Sequence, residues 1–142
     1  MPTEDAQRLL EHAQQLHAEG RIDEAIAAVQ AALDIDPGYV DALSYLGNTL
    51  VTRRLAYAEG LELIERALAL APDHPGVNYT LGWCYEFVAY RLEKAATRPY
   101  RDPIELYRLA AERLRRCIEL NPEQGLKDDA QDLLDSIEAR LE

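Results

Sequence analysis

Three histidines, two cysteines and a surplus of carboxylates are the groups in this chain that could bind a metal or move a proton. Their spacing suits neither task. His12 and His17 stand five residues apart, about 140° round a helix, so they do not share a face as two zinc-binding histidines one turn apart would. His74 lies in the turn-like stretch PDHP. Cys84 and Cys117 have no near neighbour at metal-ligand spacing. Each reads as a small buried apolar residue, with a redox pair as the alternative. The carboxylates recur along helical patterns, where they solvate a surface. No phosphate loop, nucleophile elbow or zinc spacing is present. The chain is therefore expected to be non-catalytic, without cofactor or metal.

The other concentration of chemistry is aromatic. Residues 79–90 read YTLGWCYEFVAY and hold Tyr79, Trp83, Tyr85, Phe87 and Tyr90, half of the ten aromatic residues of the chain. On a helix, Tyr79, Trp83 and Phe87 fall at i, i+4 and i+8 and share one face. Leu81, Gly82 and Tyr85 lie on another.

The 142 residues are enough for one domain that buries its own core;. No apolar run approaches the ~20 residues of a membrane helix. The acidic start, MPTEDAQRLLEHA, lacks the basic and apolar regions of a secretion signal, which places the protein in the cytoplasm;. A net charge of −11 argues against nucleic acid and anionic membranes as partners;. Arg91, Arg98, Arg101 and Arg108 gather in one region, where pairing with the chain's own acids is the expected role and an acidic partner the alternative.

A pattern repeats three times. Residues 23–37 (DEAIAAVQAALDIDP), 59–72 (EGLELIERALALAP) and 109–122 (LAAERLRRCIELNP) each carry a small residue, Ala25, Gly60 or Ala110. Four residues on comes Val29, Ile64 or Leu114, and three further on Ala32, Ala67 or Cys117. Each copy closes at Pro37, Pro72 or Pro122. Upstream, 42–50 (ALSYLGNTL) and 78–86 (NYTLGWCYE) share Leu46-Gly47 and Leu81-Gly82, followed by Leu50 or Tyr85. The first copy, RLLEHAQQL, has His12-Ala13 in that place. Glycine inside a helix costs ~1 kcal/mol relative to alanine, which is tolerable where a second helix must come close. Ala25, Gly60 and Ala110 supply the other side of that crossing.

These features resemble the tetratricopeptide repeat family: Leu-Gly-x-x-Tyr on a first helix, small and apolar positions on a second, and a closing proline. The resemblance covers about residues 6–122. It implies an all-α fold, a right-handed superhelix of about three helix-turn-helix repeats (6–37, 40–72 and 75–122) with a capping helix at 124–141, together one domain over 1–142. Helices are expected at about 4–18, 22–35, 39–54, 57–70, 76–97, 103–120 and 124–141. Pro72 and Pro122 are 50 residues apart, so the third repeat carries about sixteen residues beyond the ~34 usual for the family;. Helical spacing continues on both sides of ATRPYRDP. Both third-repeat helices are therefore expected to be lengthened into a projecting hairpin, with Asp102 as N-cap and Pro103 in the first turn. The last segment has one apolar stripe and one acid-rich face, as a terminal capping helix requires.

The resemblance also places Tyr79, Trp83 and Phe87 on the concave face, with Glu86 beside them. The matching positions of the second repeat are Ser44, Asn48 and Thr52, and of the first Leu10, Gln14 and Ala18. Two readings stand. The C-terminal helix covers the aromatics, or they form an open shelf that grips an apolar or proline-containing segment. In the second, Tyr79, Trp83, Glu86, Phe87, Ser44, Asn48 and Thr52 bind a protein or peptide, neutral or basic in view of the acid-rich rim. Of the positions at which some family members clamp a terminal carboxylate, Asn48 matches one and the others hold Ser44 and Thr80, without a base, so the resemblance does not extend to that binding. The alternative function is self-assembly as a homodimer through Tyr90, Tyr100 and Tyr107.

Overall fold

The computed structural model describes residues 3–95 and 99–142, and among them every regular element is an α-helix. They form two compact units, Met1–Leu70 and Ala71–Glu142. In the first, α1 (Glu4–Ala18) pairs with α2 (Ile22–Ile35), α3 (Val40–Arg53) pairs with α4 (Tyr57–Leu70), and α2 packs on α3. In the second, α5 (Pro75–Lys94) pairs with α6 (Pro103–Glu119), and α7 (Gln124–Leu141) lies mainly on α6. No helix among the described residues is long and apolar enough to cross a membrane.

The helix ends follow local chemistry. Thr3 accepts from the amide of Ala6 at 3.1 Å and opens α1. Asp102 accepts from the amide of Ile104 at 3.1 Å, with Pro103 leading α6. His74 accepts from the amide of Val77 through Nδ1 at 3.2 Å, ahead of Pro75. In each case a donor of the first turn that has no partner within the helix gains one. α1 stops at Gly20, whose φ of +78° lets Arg21 donate to Leu16 O at 2.9 Å and Gly20 to His17 O at 3.0 Å. This is the paired turn that glycine permits because it has no Cβ. α6 stops at Asn121, also left-handed at φ 55°, and Pro122 cannot carry the helix further;. α5 has 20 residues and α6 has 17, against 14 for each of α2, α3 and α4. α5 ends at Lys94; residues 96 and 97 of the expected 76–97 helix lie outside the described residues, as does Arg98.

The pairs close at their small residues. A Cβ built on Gly60 would stand 2.6 Å from Gly47 O and 2.6 Å from Val51 Cγ2; one on Gly47 would stand 2.6 Å from Gly60 O. The two backbones thus touch where Leu-Gly of α3 crosses the start of α4. Around the crossing Val51, Leu61, Ile64 and Ala67 are buried. In the second unit Gly82 faces Leu114 and the carbonyl of Ala110. The core there is Leu81, Cys84, Tyr85 and Val88 against Leu106, Tyr107, Ala110 and Leu114, with Ala130, Leu134 and Ile137 added by α7.

One buried polar residue ties that unit together. Asn78 is fully buried and donates at 3.0 Å to Pro72 O and at 3.0 Å to His74 O, while its own oxygen accepts from Arg113 of α6 at 3.1 Å. All three bonds are satisfied inside the fold, so its burial carries no orphan penalty.

Gly60→Ala is expected to lower stability by about 1–3 kcal/mol in denaturant melts, because backbone must move to admit the methyl. Gly38→Ala, which meets nothing closer than 4.0 Å, is the control and stays within about 0.5 kcal/mol;. Equal effects at the two sites would show that the crossing is not tight.

Candidate partner-binding surface

The polar half of the expected site lies on α3, in the first unit. Ser44, Asn48 and Thr52 are all half-buried. Thr52 donates its hydroxyl back to Asn48 O at 2.9 Å, so its proton is already used within the helix;. Asn48 lines a shallow depression of about 340 Å³ with Gln14, His17, Ala18, Tyr45 and Thr49. Ser44 and Thr52 are not part of that lining. His17 Nδ1 and the Tyr45 hydroxyl are 2.9 Å apart, and their rings meet edge to face at 5.7 Å. This pair joins α1 to α3. The sequence reading missed it, because nothing local relates residues 28 apart.

The aromatic half lies on α5, in the second unit. Trp83 is 36% exposed, while Tyr79 and Phe87 are half-buried. Trp83 and Phe87 stack at 5.4 Å with 20° between their planes. The Arg91 guanidinium lies over the Phe87 ring at 4.4 Å. Residues 83, 87 and 91 are one helical turn apart, so a ladder of indole, phenyl and guanidinium runs along the surface. Arg101 likewise lies over the buried Tyr85 ring, at 5.5 Å. The arginines expected to pair with the chain's own acids thus include two that rest on aromatic faces.

α7 reaches this region through Arg140. Its guanidinium sits 5.2 Å from the Tyr107 ring and 5.5 Å from the Tyr90 ring, and donates to Glu93 at 3.4 Å. Tyr107 donates its hydroxyl to Glu93 at 2.5 Å. Burial, and then Glu93, make the Tyr107 phenol harder to ionise. Burial also raises the Tyr79 phenol, with Asp129 of α7 adding to it. Burial raises the Glu86 carboxyl as well, against the opposing pull of Arg140. Glu86 Oε2 is buried without a hydrogen-bond partner. Of the tyrosines expected on a dimer face, Tyr90 and Tyr100 are 45% and 47% exposed, whereas Tyr107 is fully buried.

Neither cysteine offers a reactive thiolate. Both are fully buried, and burial pushes the Cys84 thiol up to about 12 and raises that of Cys117;. Among the described residues no group of three histidines, cysteines or carboxylates is placed to hold a metal ion.

Residues 13–52 match a family model described as a TPR repeat. Three solved structures share the fold along nearly the whole chain. The first TPR of Spaghetti (RPAP3), bound to the HSP90 peptide SRMEEVD, is 20% identical with a TM-score of 0.73, over 97% of this chain and 94% of that one. The Sgt2 TPR domain from Aspergillus fumigatus is 18% identical with a TM-score of 0.74, over 99% and 81%. The Yersinia enterocolitica type III secretion chaperone SycD, in complex with a peptide of the translocator YopD, is 15% identical with a TM-score of 0.73, over 99% and 97%. At these identities the likeness is one of fold. No curated protein matches the sequence.

The raised Glu86 carboxyl has a consequence for stability. The folded chain holds that proton more tightly than the unfolded chain, so stability falls as pH rises from the ordinary carboxylate value through the raised one;. Glu86→Gln is therefore expected to melt at a higher temperature than the parent at pH 7, with the gap closing as pH falls below about 4. A gap that is constant with pH would show that Glu86 ionises normally.

Proposed function

We propose, from the premise that this chain is a tetratricopeptide-repeat family protein, that it is a non-catalytic interaction module for a protein or peptide partner. The observation that carries this reading is the stacked Trp83–Phe87 pair with the indole left 36% exposed. A tryptophan held in one orientation by a neighbouring ring has little freedom left to lose on binding, and aromatics of this kind carry much of the energy of protein interfaces. Two structures of the same fold hold peptides, which supports the reading. Tyr79, Trp83, Glu86 and Phe87 are the apolar and shaping contacts on α5. Ser44, Asn48 and Thr52 are the polar ones on α3, with Asn48 placed at the depression beside His17 and Tyr45. Over most of the surface the excess of 26 acids against 15 bases favours a neutral or basic partner;.

A second reading is a homodimer, favoured by the exposure of Tyr90, Tyr100 and Ile104 at 45%, 47% and 41%. Sedimentation over a range of concentrations separates the two; a strict monomer at high concentration removes the dimer.

Trp83 is the only tryptophan, so its fluorescence reports the site directly. Acrylamide is expected to quench the monomer readily, and a bound peptide to shift the emission to the blue and protect it. Emission that is already blue and resistant to quencher in the pure monomer means a closed face, and the reading fails.

A further inference from the structure

α5 contains two acids and two bases in its second half, yet the four are not equally presented. Glu93 is taken up by the Tyr107 hydroxyl at 2.5 Å and by Arg140 at 3.4 Å. Glu86 is half-buried, with Oε2 out of contact with solvent. Arg91 and Lys94 are exposed. The positions three and four residues either side of Arg91 are Phe87, Val88, Lys94 and Ala95, so no carboxylate can reach it by helical spacing;. Lys94 is in the same situation and rests over the Tyr90 ring at 5.3 Å. The exposed side chains of this half-helix are thus aromatic and cationic apart from Glu93, which is already bonded to Tyr107 and Arg140, on a chain whose net charge is −11.

Arg91 also rests on a ring. A guanidinium resting over a ring still has N–H donors to offer, and these can pair with both oxygens of a carboxylate. Phe87 is stacked on Trp83 and lies beneath the Arg91 guanidinium. The distances of 5.4 Å from Trp83 to Phe87 and 4.4 Å from Phe87 to Arg91 put the guanidinium within about 10 Å of the open indole;. An extended chain advances about 3.3–3.6 Å per residue, so about three residues span that gap.

We infer that the Trp83–Phe87–Arg91 ladder binds an extended acidic peptide segment, an apolar residue on the indole and an aspartate or glutamate three residues away in the fork of Arg91. This rests on the interaction-module reading but departs from its neutral or basic partner at this ladder, where Arg91 and Lys94 make the local charge positive. Opposite charge argues for a short acidic segment. Its one or two carboxylates meet the local cations Arg91 and Lys94. A long polyanion would also meet the acids of the rest of the chain.

The test is selection of a random displayed-peptide library on the full chain, followed by titration of labelled winners. The expected winners lose binding in Trp83→Ala and carry an acid three positions from an apolar residue. Arg91→Met weakens them about tenfold, and Arg91→Lys does not restore them, because an ammonium lacks the fork. Replacing the peptide acid by its amide costs as much in the parent and nothing further in Arg91→Met. Arg91 is exposed, and unchanged circular dichroism confirms that its variants fold. Winners that need Trp83 but show no enriched acid, or that bind Arg91→Met as well as the parent, overturn the inference and leave the module standing. Winners indifferent to Trp83 overturn both. An unlabelled single-stranded oligonucleotide that competes as well as the peptide overturns it in favour of nucleic acid. A concentration-dependent dimer abolished by Arg91→Met overturns it in favour of a second copy of the chain.

Discussion

Backbone meets backbone between Gly47 and Gly60, and the rest of the first unit is arranged around that contact. With no side chain on either residue, the carbonyl of each glycine comes within 2.6 Å of where the other would carry a Cβ. The close approach draws Val51, Ile64 and Ala67 fully out of solvent, where each contributes dispersion and apolar burial;. It also decides which faces remain. A helix that spends its glycine face on a partner turns its other positions outward, and Asn48 and Thr52 are among them. The second unit uses a looser version, in which Gly82 meets a leucine side chain and the carbonyl of an alanine. Its deficit in closeness is offset by longer helices and by the bonds of Asn78.

Electrostatics then sorts the surface of α5. The exposed ion pairs elsewhere, such as Arg8 with Glu4 or Arg115 with Glu138, contribute little individually, since both partners remain in water;. Glu93 differs because a buried tyrosine and a cation converge on it. Its engagement leaves one exposed negative charge already partnered within the chain. Glu86 is drawn in by packing instead, and its carboxyl is raised in consequence. Arg91 and Lys94, by contrast, lie over ring faces that a carboxylate would not occupy;.

The sequence carried most of what is local. The expected helix starts lie within a residue of their places, and Asp102 with Pro103 marked that of α6. The small-residue crossing was legible because glycine and alanine at helical spacing have few other uses. So was the shared face of Tyr79, Trp83 and Phe87, which follows from helical geometry alone. What stayed hidden depends on approach across the fold. Asn78 gains Arg113 from 35 residues away, and Arg140 reaches Glu93 from 47 away. Nothing in the local pattern separates these from any other surface asparagine or arginine. Tyr107 seemed available to a partner, but it stands three residues before Ala110 and follows it into the seam. The resting of Arg91 on Phe87 was half visible, in the four-residue spacing and in the want of acids nearby. The general excess of carboxylates obscured it.

The fold recurs at 15–20% identity in structures that hold unlike peptides. The fold thus tolerates a sequence that differs at most positions. A seam built from glycine, alanine and leucine admits few alternatives, because a single methyl at Gly60 collides with backbone. Positions 83, 87 and 91 meet no such limit, since they owe their places to the helix and to one another. In the proposed reading, binding specificity accordingly belongs to positions that the tight seam constrains less.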